Sequence, residues 1–207
     1  EDIIAFRETF LTDYQDMALA VRYRQLVDQA VTAESRLSGQ AGEFSEAVAR
    51  GYFKLLAYKD EYEVARLLSH PVFLQSLTDR FEGKAKMHLH LAPPFLAHPG
   101  NASGKRRFGS WILPALRLLS RFKGLRGTVL DVFGYQQERR DERALIADYE
   151  KNIAALVSDL AEQNIRTAIA IAELPLAIRG YGHVKQQSMT EAQTRFPFQM
   201  LCDVWLH

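Results

Sequence analysis

Ile146, Tyr149, Ile153, Leu156, Val157 and Leu160 recur at three- and four-residue intervals, the spacing that stacks side chains on one face of an α-helix. The stretch opens with mixed charge from Glu138 to Arg143 and stops at Asn164, so a long central helix is expected from about Tyr135 to Leu160. The N-terminal segment carries the same signal. Phe10, Tyr14, Met17 and Val21, followed by Leu26, Val27, Ala30 and Val31, form a stripe that reads as one long helix over about the first forty residues. Gly39 and Gly42 break it.

Shorter helices follow. Ser45 is read as the N-cap of a helix whose face carries Val48, Tyr52, Leu55 and Leu56. Asp60 with Glu63 three residues later resembles a capping box, opening a helix that His70-Pro71 ends. Pro71 suits the first turn of the next helix, which Gly83 would close. The period then changes. Lys84, Lys86, His88 and His90 alternate with Ala85, Met87, Leu89 and Leu91, as in a strand with one polar face. Pro93-Pro94 stops that strand, and the stretch from His98 to Gly104 reads as a loop leading to a partner strand near Lys105 to Phe108. Ser110 is read as the cap of a helix from Trp111 towards Lys123, with Pro114 in its first turn. An apolar segment from Thr167 to Leu174 follows the central helix, and Pro175 redirects the chain. The fold expected is mainly α, a multi-helix domain with long N-terminal and central helices and a small β-hairpin. Residues 1–187 form the helical domain, or two tightly packed lobes, and 188–207 a tail of open role.

Composition narrows the function classes. With 26 basic and 25 acidic residues the chain has no global field to draw nucleic acid or anionic membrane, and no apolar run approaches the roughly 20 residues needed to cross a bilayer. No signal peptide opens the chain, so the cytoplasm is the default location. Cys202 is the single cysteine. It cannot form an internal disulfide, and an iron–sulfur cluster usually takes about four thiolates. The chain starts at Glu1, without Met and directly in a helical pattern, as a domain cut from a longer polypeptide would, or one with a trimmed N-terminus.

Motifs that carry chemistry are few. There is no nucleophile elbow, phosphate-binding loop or dinucleotide fingerprint; Gly180-Tyr181-Gly182-His183 reads as a helix terminus rather than a phosphate turn. His88 and His90 point the same way on a strand, yet local spacing supplies no third metal ligand. With Lys84 and Lys86 on that face, an anion or carboxylate-rich partner carries more weight than a metal, and a solvated face more than either. Lys59, Asp60, Glu61, Glu63 and Arg66 gather at a helix start, where carboxylates complement the dipole and Glu63 can pair with Arg66. Structure outweighs acid–base chemistry there. Tyr58 and Tyr62 are expected to pack rather than stack on a ligand. Lys105, Arg106, Arg107, Arg117, Arg121, Lys123 and Arg126 form the one concentrated basic region, with Phe108, Trp111 and Phe122 read as core. The candidate contact residues, for an interface or an anion, are Lys59, Asp60, Glu63, Arg66, Lys84, Lys86, His88 and His90; no catalytic, cofactor or metal residue is assigned.

Several runs resemble one family in order. They are Phe10 to Asp16, Lys54 to Arg66, His88 to Pro94, Phe108-Gly109-Ser110-Trp111, Leu125-Arg126-Gly127-Thr128, Phe133-Gly134-Tyr135, Glu142 to Ile146, Leu174-Pro175 and Ile178 to Lys185. Together they are similar to the C-terminal region of the fused indolepyruvate ferredoxin oxidoreductases, from about Phe6 to Lys185; Ser188 to His207 matches nothing in that family. The resemblance implies a parent 2-oxoacid oxidoreductase that uses thiamine diphosphate with Mg2+ and 4Fe–4S clusters. Such an enzyme decarboxylates an aryl pyruvate, captures the acyl group on coenzyme A and reduces ferredoxin. It also implies that the cofactor sites lie in preceding regions, so that this fragment alone is inactive. Implied partners are the remaining domains of that enzyme, a second copy of the chain in a homodimer, and ferredoxin as electron acceptor; nucleic acid and membrane are not expected. The alternative is a stand-alone helical interaction module that docks an acidic partner protein through the Lys105–Arg126 region.

Overall fold

The computed structural model describes residues 2–80, 86–91 and 106–178. The helices are α1 (Asp2–Tyr14), α2 (Met17–Ser38), α3 (Glu43–Leu56), α4 (Glu61–Ser69), α5 (Pro71–Arg80), α6 (Leu113–Arg121), α7 (Gln137–Ser158) and α8 (Ile165–Ala177). Strands β1 (His88–Leu91) and β2 (Arg106–Gly109) pair antiparallel, with His90 opposite Arg107 and His88 opposite Gly109. The protein is mainly α with one small hairpin. Its described residues divide into two compact units, one of those up to Tyr58 and from Gln137 to Ile178, the other of those from Lys59 to Gln136. No helix among the described residues is long and apolar enough to cross a membrane.

In the first unit, the single helix expected over the first forty residues is two. Asp16 adopts extended backbone (φ −163°, ψ 174°), and its carboxylate accepts the Leu19 N–H at 2.8 Å. The N-cap restarts the helix and turns its buried face: Leu19, Ala20 and Tyr23 are buried, while Met17 and Val21, expected on the stripe, are exposed. Gly39 ends α2 at φ +77°, with its N–H on Ser35 O. The start of α3 also differs from expectation. Ser45 lies in its first turn, and the cap comes from α2: the buried Glu34 carboxylate accepts the N–H groups of Gly42, Phe44 and Ser45 at 2.8, 2.9 and 2.9 Å. One side chain thus satisfies three donors that a helix start leaves open.

The core of this unit is built around α3. The rings of Tyr23 and Tyr52 stack at 6.0 Å, and those of Tyr52 and Tyr149 at 5.9 Å, within the 4.5–7 Å range over which aromatic pairs attract. Each hydroxyl has a partner: Tyr23 donates to Ala49 O, Tyr149 to Ala172 O and Tyr52 to Glu150, whose carboxylate also holds Arg22. Ile146, Tyr149, Ile153 and Leu156 bury one face of α7 as the periodicity requires. Pro175 does not redirect the chain; it sits in the last turn of α8, which runs on to Ala177.

In the second unit, α4 packs on α6, and Ala65, Leu89 and Leu116 centre a small apolar cluster that Met87, Leu91, Ile112, Leu113 and Leu119 flank. The helix expected from Trp111 to Lys123 is segmented. Pro114 has no N–H to give Ser110, so Leu113 N–H bonds Ser110 O instead and residues Ser110–Ile112 form a 3-10 turn before α6. Gly109, not Ser110, precedes that turn. A second 3-10 turn, Phe122–Leu125, follows α6.

Candidate functional site

The start of α4 collects the densest buried charge of the second unit. Asp60 has extended backbone and caps α4 through the Glu63 N–H at 2.8 Å. Its carboxylate also takes both sides of the Arg126 guanidinium, Nε at 2.5 Å and Nη2 at 2.9 Å, the bidentate geometry that suits arginine to carboxylates. Both side chains are 3 % exposed. Arg126 lies over the Tyr62 ring, 5.6 Å from its centroid. The Tyr62 hydroxyl donates to Asp131 at 3.2 Å, and Phe133 meets the same ring edge-on. Asp131 accepts in addition the N–H groups of Gly127 (2.8 Å) and Phe133 (3.2 Å), which fixes the loop between them. Burial pushes the Tyr62 hydroxyl pKa well up, and the Asp131 charge adds to the shift.

Glu63, expected to reach back and complete a capping box, turns forward to Arg66 in a two-pronged pair with both distances 2.8 Å. Of the four candidates at this helix start, the structure therefore brings together Asp60, Glu63 and Arg66, while Lys59 is exposed beside them. In this arrangement the carboxylates hold a helix start to a distant loop. They are committed to partners, as a scaffold needs.

The hairpin is a separate feature. His88 and His90 are exposed on one face of β1 while Leu89 is buried, as the period of two requires, and Lys86 is exposed just before the strand. Lys84 lies outside the described residues, as do Gly83, His98, Lys105, Gly180-Tyr181-Gly182-His183, Cys202 and all of 188–207. Arg107 faces His90 across the strands, and a guanidinium there opposes a cation at the histidine pair. Among the described residues no group of three or more His, Cys, Asp or Glu side chains could hold a metal.

A family model described as a family of unknown function, DUF6537, matches residues 1–197. The chain belongs to the DUF6537 family. No curated protein and no solved structure matches it.

Two expectations for the basic region of this DUF6537 chain need correction. Arg126 leaves it, because Asp60 draws that side chain into the interior. Trp111 and Phe122, read as core from their helical spacing, are exposed; α6 buries Leu116 instead. Spacing alone identifies a face but not which of two apolar faces is covered. Asp131 is outside the candidate residues, yet the sequence carries a signal for it. It is the one carboxylate between Glu82 and Glu138, and an acid isolated among bases and apolar residues tends to be held by specific partners.

Proposed function

We propose that this chain is a non-catalytic C-terminal domain of a cytoplasmic, thiamine-diphosphate- and iron–sulfur-dependent indolepyruvate ferredoxin oxidoreductase, serving its assembly or the closure of its active site. One observation carries the reading. Three of the ordered runs that resemble that family, Lys54 to Arg66, Leu125 to Thr128 and Phe133 to Tyr135, supply Asp60, Tyr62, Arg126, Gly127 and Phe133 to one buried network. Residues that recur as short motifs far apart in sequence are thereby accounted for as a scaffold. The chain's own residues do not suit the parent's redox groups: one cysteine is too few for a cluster that takes about four thiolates. The thiamine diphosphate, Mg2+ and clusters would then belong to other regions of the parent, which would pass electrons to ferredoxin. A homodimeric parent is part of the same proposal.

The test is the size and company of the native polypeptide. An antibody raised against this chain should detect in the source cell a band several times its size, copurifying with iron and thiamine diphosphate. A band of the chain's own size, free of both, would overturn the reading. In the whole enzyme, alanine at Lys59, Lys86, His88 and His90 should lower turnover or disturb assembly. These side chains are exposed.

A further inference from the structure

The charge of this chain is balanced overall but not along its length. From Gly83 to Leu130 there is no aspartate or glutamate, whereas Lys84, Lys86, Lys105, Arg106, Arg107, Arg117, Arg121, Lys123 and Arg126 all fall in that span. Of these, Arg126 is neutralised by Asp60. Arg106, Arg107, Arg117 and Arg121 are exposed and have no ion-pair partner among the described residues.

The same span carries an exposed apolar face, on which the one ring contact among the described residues is Phe108 edge-on to Trp111. Leu113, Leu116 and Leu119 turn α6 towards the small core with Ala65 of α4. On the other side Trp111, Leu118 and Phe122 are 70 %, 56 % and 47 % exposed, and the exposed Ala115 lies among them. Positions 111, 115, 118 and 122 share one side of a helix, and Arg117 and Arg121 sit about 100° round from Leu118 and Phe122, as a basic rail along its edge.

We propose that this face of α6 docks an acidic segment of a partner protein, with Trp111, Leu118 and Phe122 taking its apolar side chains and Arg117 and Arg121 its carboxylates. Charge complementarity selects the occupant. A second copy of the chain would bring the same uncompensated arginines against themselves, and like charges facing each other across an interface are costly. The composition points to protein rather than nucleic acid. Tryptophan and arginine are the side chains enriched at interface hot spots, while α6 and its flanking turns, residues 110–125, hold no asparagine or glutamine with which adenine edges are commonly read. A membrane surface would engage a freestanding amphipathic helix; α6 is nine residues long and is held on its other face by α4.

The test uses the whole chain and a fluorescein-labelled helical peptide of Glu, Ala and Leu, with Leu at positions i, i+3, i+4 and i+7. Fluorescence anisotropy should show binding that weakens as salt rises, because exposed charge pairs are screened. It should be lost when Lys replaces each Glu or Ala replaces each Leu in the peptide. The double substitutions R117E/R121E and W111A/F122A should each lower affinity by about tenfold or more. Unchanged thermal unfolding confirms that these variants fold, and R117Q/R121Q decides the matter should either fail to. No binding of the peptide by the unaltered chain, or equal binding by the variants, overturns the proposal. Tighter binding through these same residues to a poly-dT oligonucleotide or to phosphatidylserine vesicles overturns it in favour of nucleic acid or membrane.

Discussion

Asp60 and Arg126, 66 residues apart in sequence, are joined by two hydrogen bonds in the interior of the second unit, and the same Asp60 carboxylate caps α4. Two jobs in one side chain couple the start of a helix to a loop far along the chain. A buried pair of this kind is weak evidence for added stability as a whole, since desolvation opposes the attraction. Removal of one partner is another matter.

Asp60→Asn keeps an acceptor for the Glu63 N–H but takes the carboxylate charge away from the buried Arg126 guanidinium. The expected cost is about 3–5 kcal/mol in urea unfolding. Replacing both, as D60N with R126M, should recover much of that loss, because the guanidinium that loses its carboxylate is removed with it. A loss under about 1 kcal/mol for the single substitution would mean that the pair counts for no more than one on the surface, contrary to its burial.

Glu34 supplies the second long-range cap. Burial alone would push its pKa up, but hydrogen bonds from the Ser45 side chain and the Ser45, Phe44 and Gly42 N–H groups together hold it below the ordinary 4.5. A depressed folded value means that the unfolded chain takes up protons first on acidification. The stabilisation is therefore complete above about pH 4.5 and fades as pH falls through the lower, folded value. Glu34→Gln should cost about 1–3 kcal/mol at neutral pH, and the acid limb of its stability curve should be shallower than that of the unaltered chain. Parallel acid limbs in the two proteins would rule out this linkage.

The tyrosines set the alkaline limb. Burial, foremost in every case, raises the pKa values of Tyr23, Tyr52, Tyr62 and Tyr149 above the ordinary 10.0, and the carboxylates of Glu150 and Asp131 add to the shifts at Tyr52 and Tyr62. Each group prefers to stay neutral in the folded state. Its contribution is therefore fully present below about pH 10 and is lost as pH rises towards the folded value. Stability should stay level up to about pH 10 and then decline, with tyrosinate absorbance at these residues rising together with unfolding rather than before it. Tyrosinate absorbance from all the tyrosines with the fold intact would contradict this.

Much of the architecture was legible because it rests on period. The α7 stripe of Ile146, Tyr149, Ile153 and Leu156, the alternation at His88 to Leu91 and the Pro71 helix start all follow from local spacing. What escaped depends on contacts made from a distance. Asp16 interrupts a continuous stripe by capping, Glu34 caps a helix it does not belong to, and Asp131 gathers amides from a loop. In each case a carboxylate finds its partners only once the chain has folded. The candidate site was half visible. Asp60, Glu63 and Arg66 announce a helix start, but nothing local to Arg126 distinguishes it from the exposed Arg117 and Arg121.

Gly51 is the position where the first unit should tolerate least. It lies in α3, where glycine costs helix stability by roughly 0.5–1 kcal/mol relative to alanine, so its presence in the middle of a buried helix calls for a reason. A Cβ built there would stand 2.4 Å from Ala172 O and 2.8 Å from the Tyr149 hydroxyl. Those two atoms are hydrogen-bonded to each other at 3.0 Å, so the methyl group would press on the bond by which α7 holds α8. The backbone oxygen cannot rotate away as a flexible side chain would. Either α8 shifts outward or the Tyr149 hydroxyl loses its partner while still buried. Gly51→Ala should therefore destabilise the protein despite alanine's better helix propensity, by about 1–3 kcal/mol for overpacking alone. Loss of the Tyr149 hydrogen bond would add to that. Tyr149→Phe combined with Gly51→Ala should relieve one of the two contacts but not the closer one, so the pair should remain less stable than Tyr149→Phe alone. A neutral or stabilising Gly51→Ala would mean that α3 and α8 do not approach as closely as the Ala172 carbonyl requires.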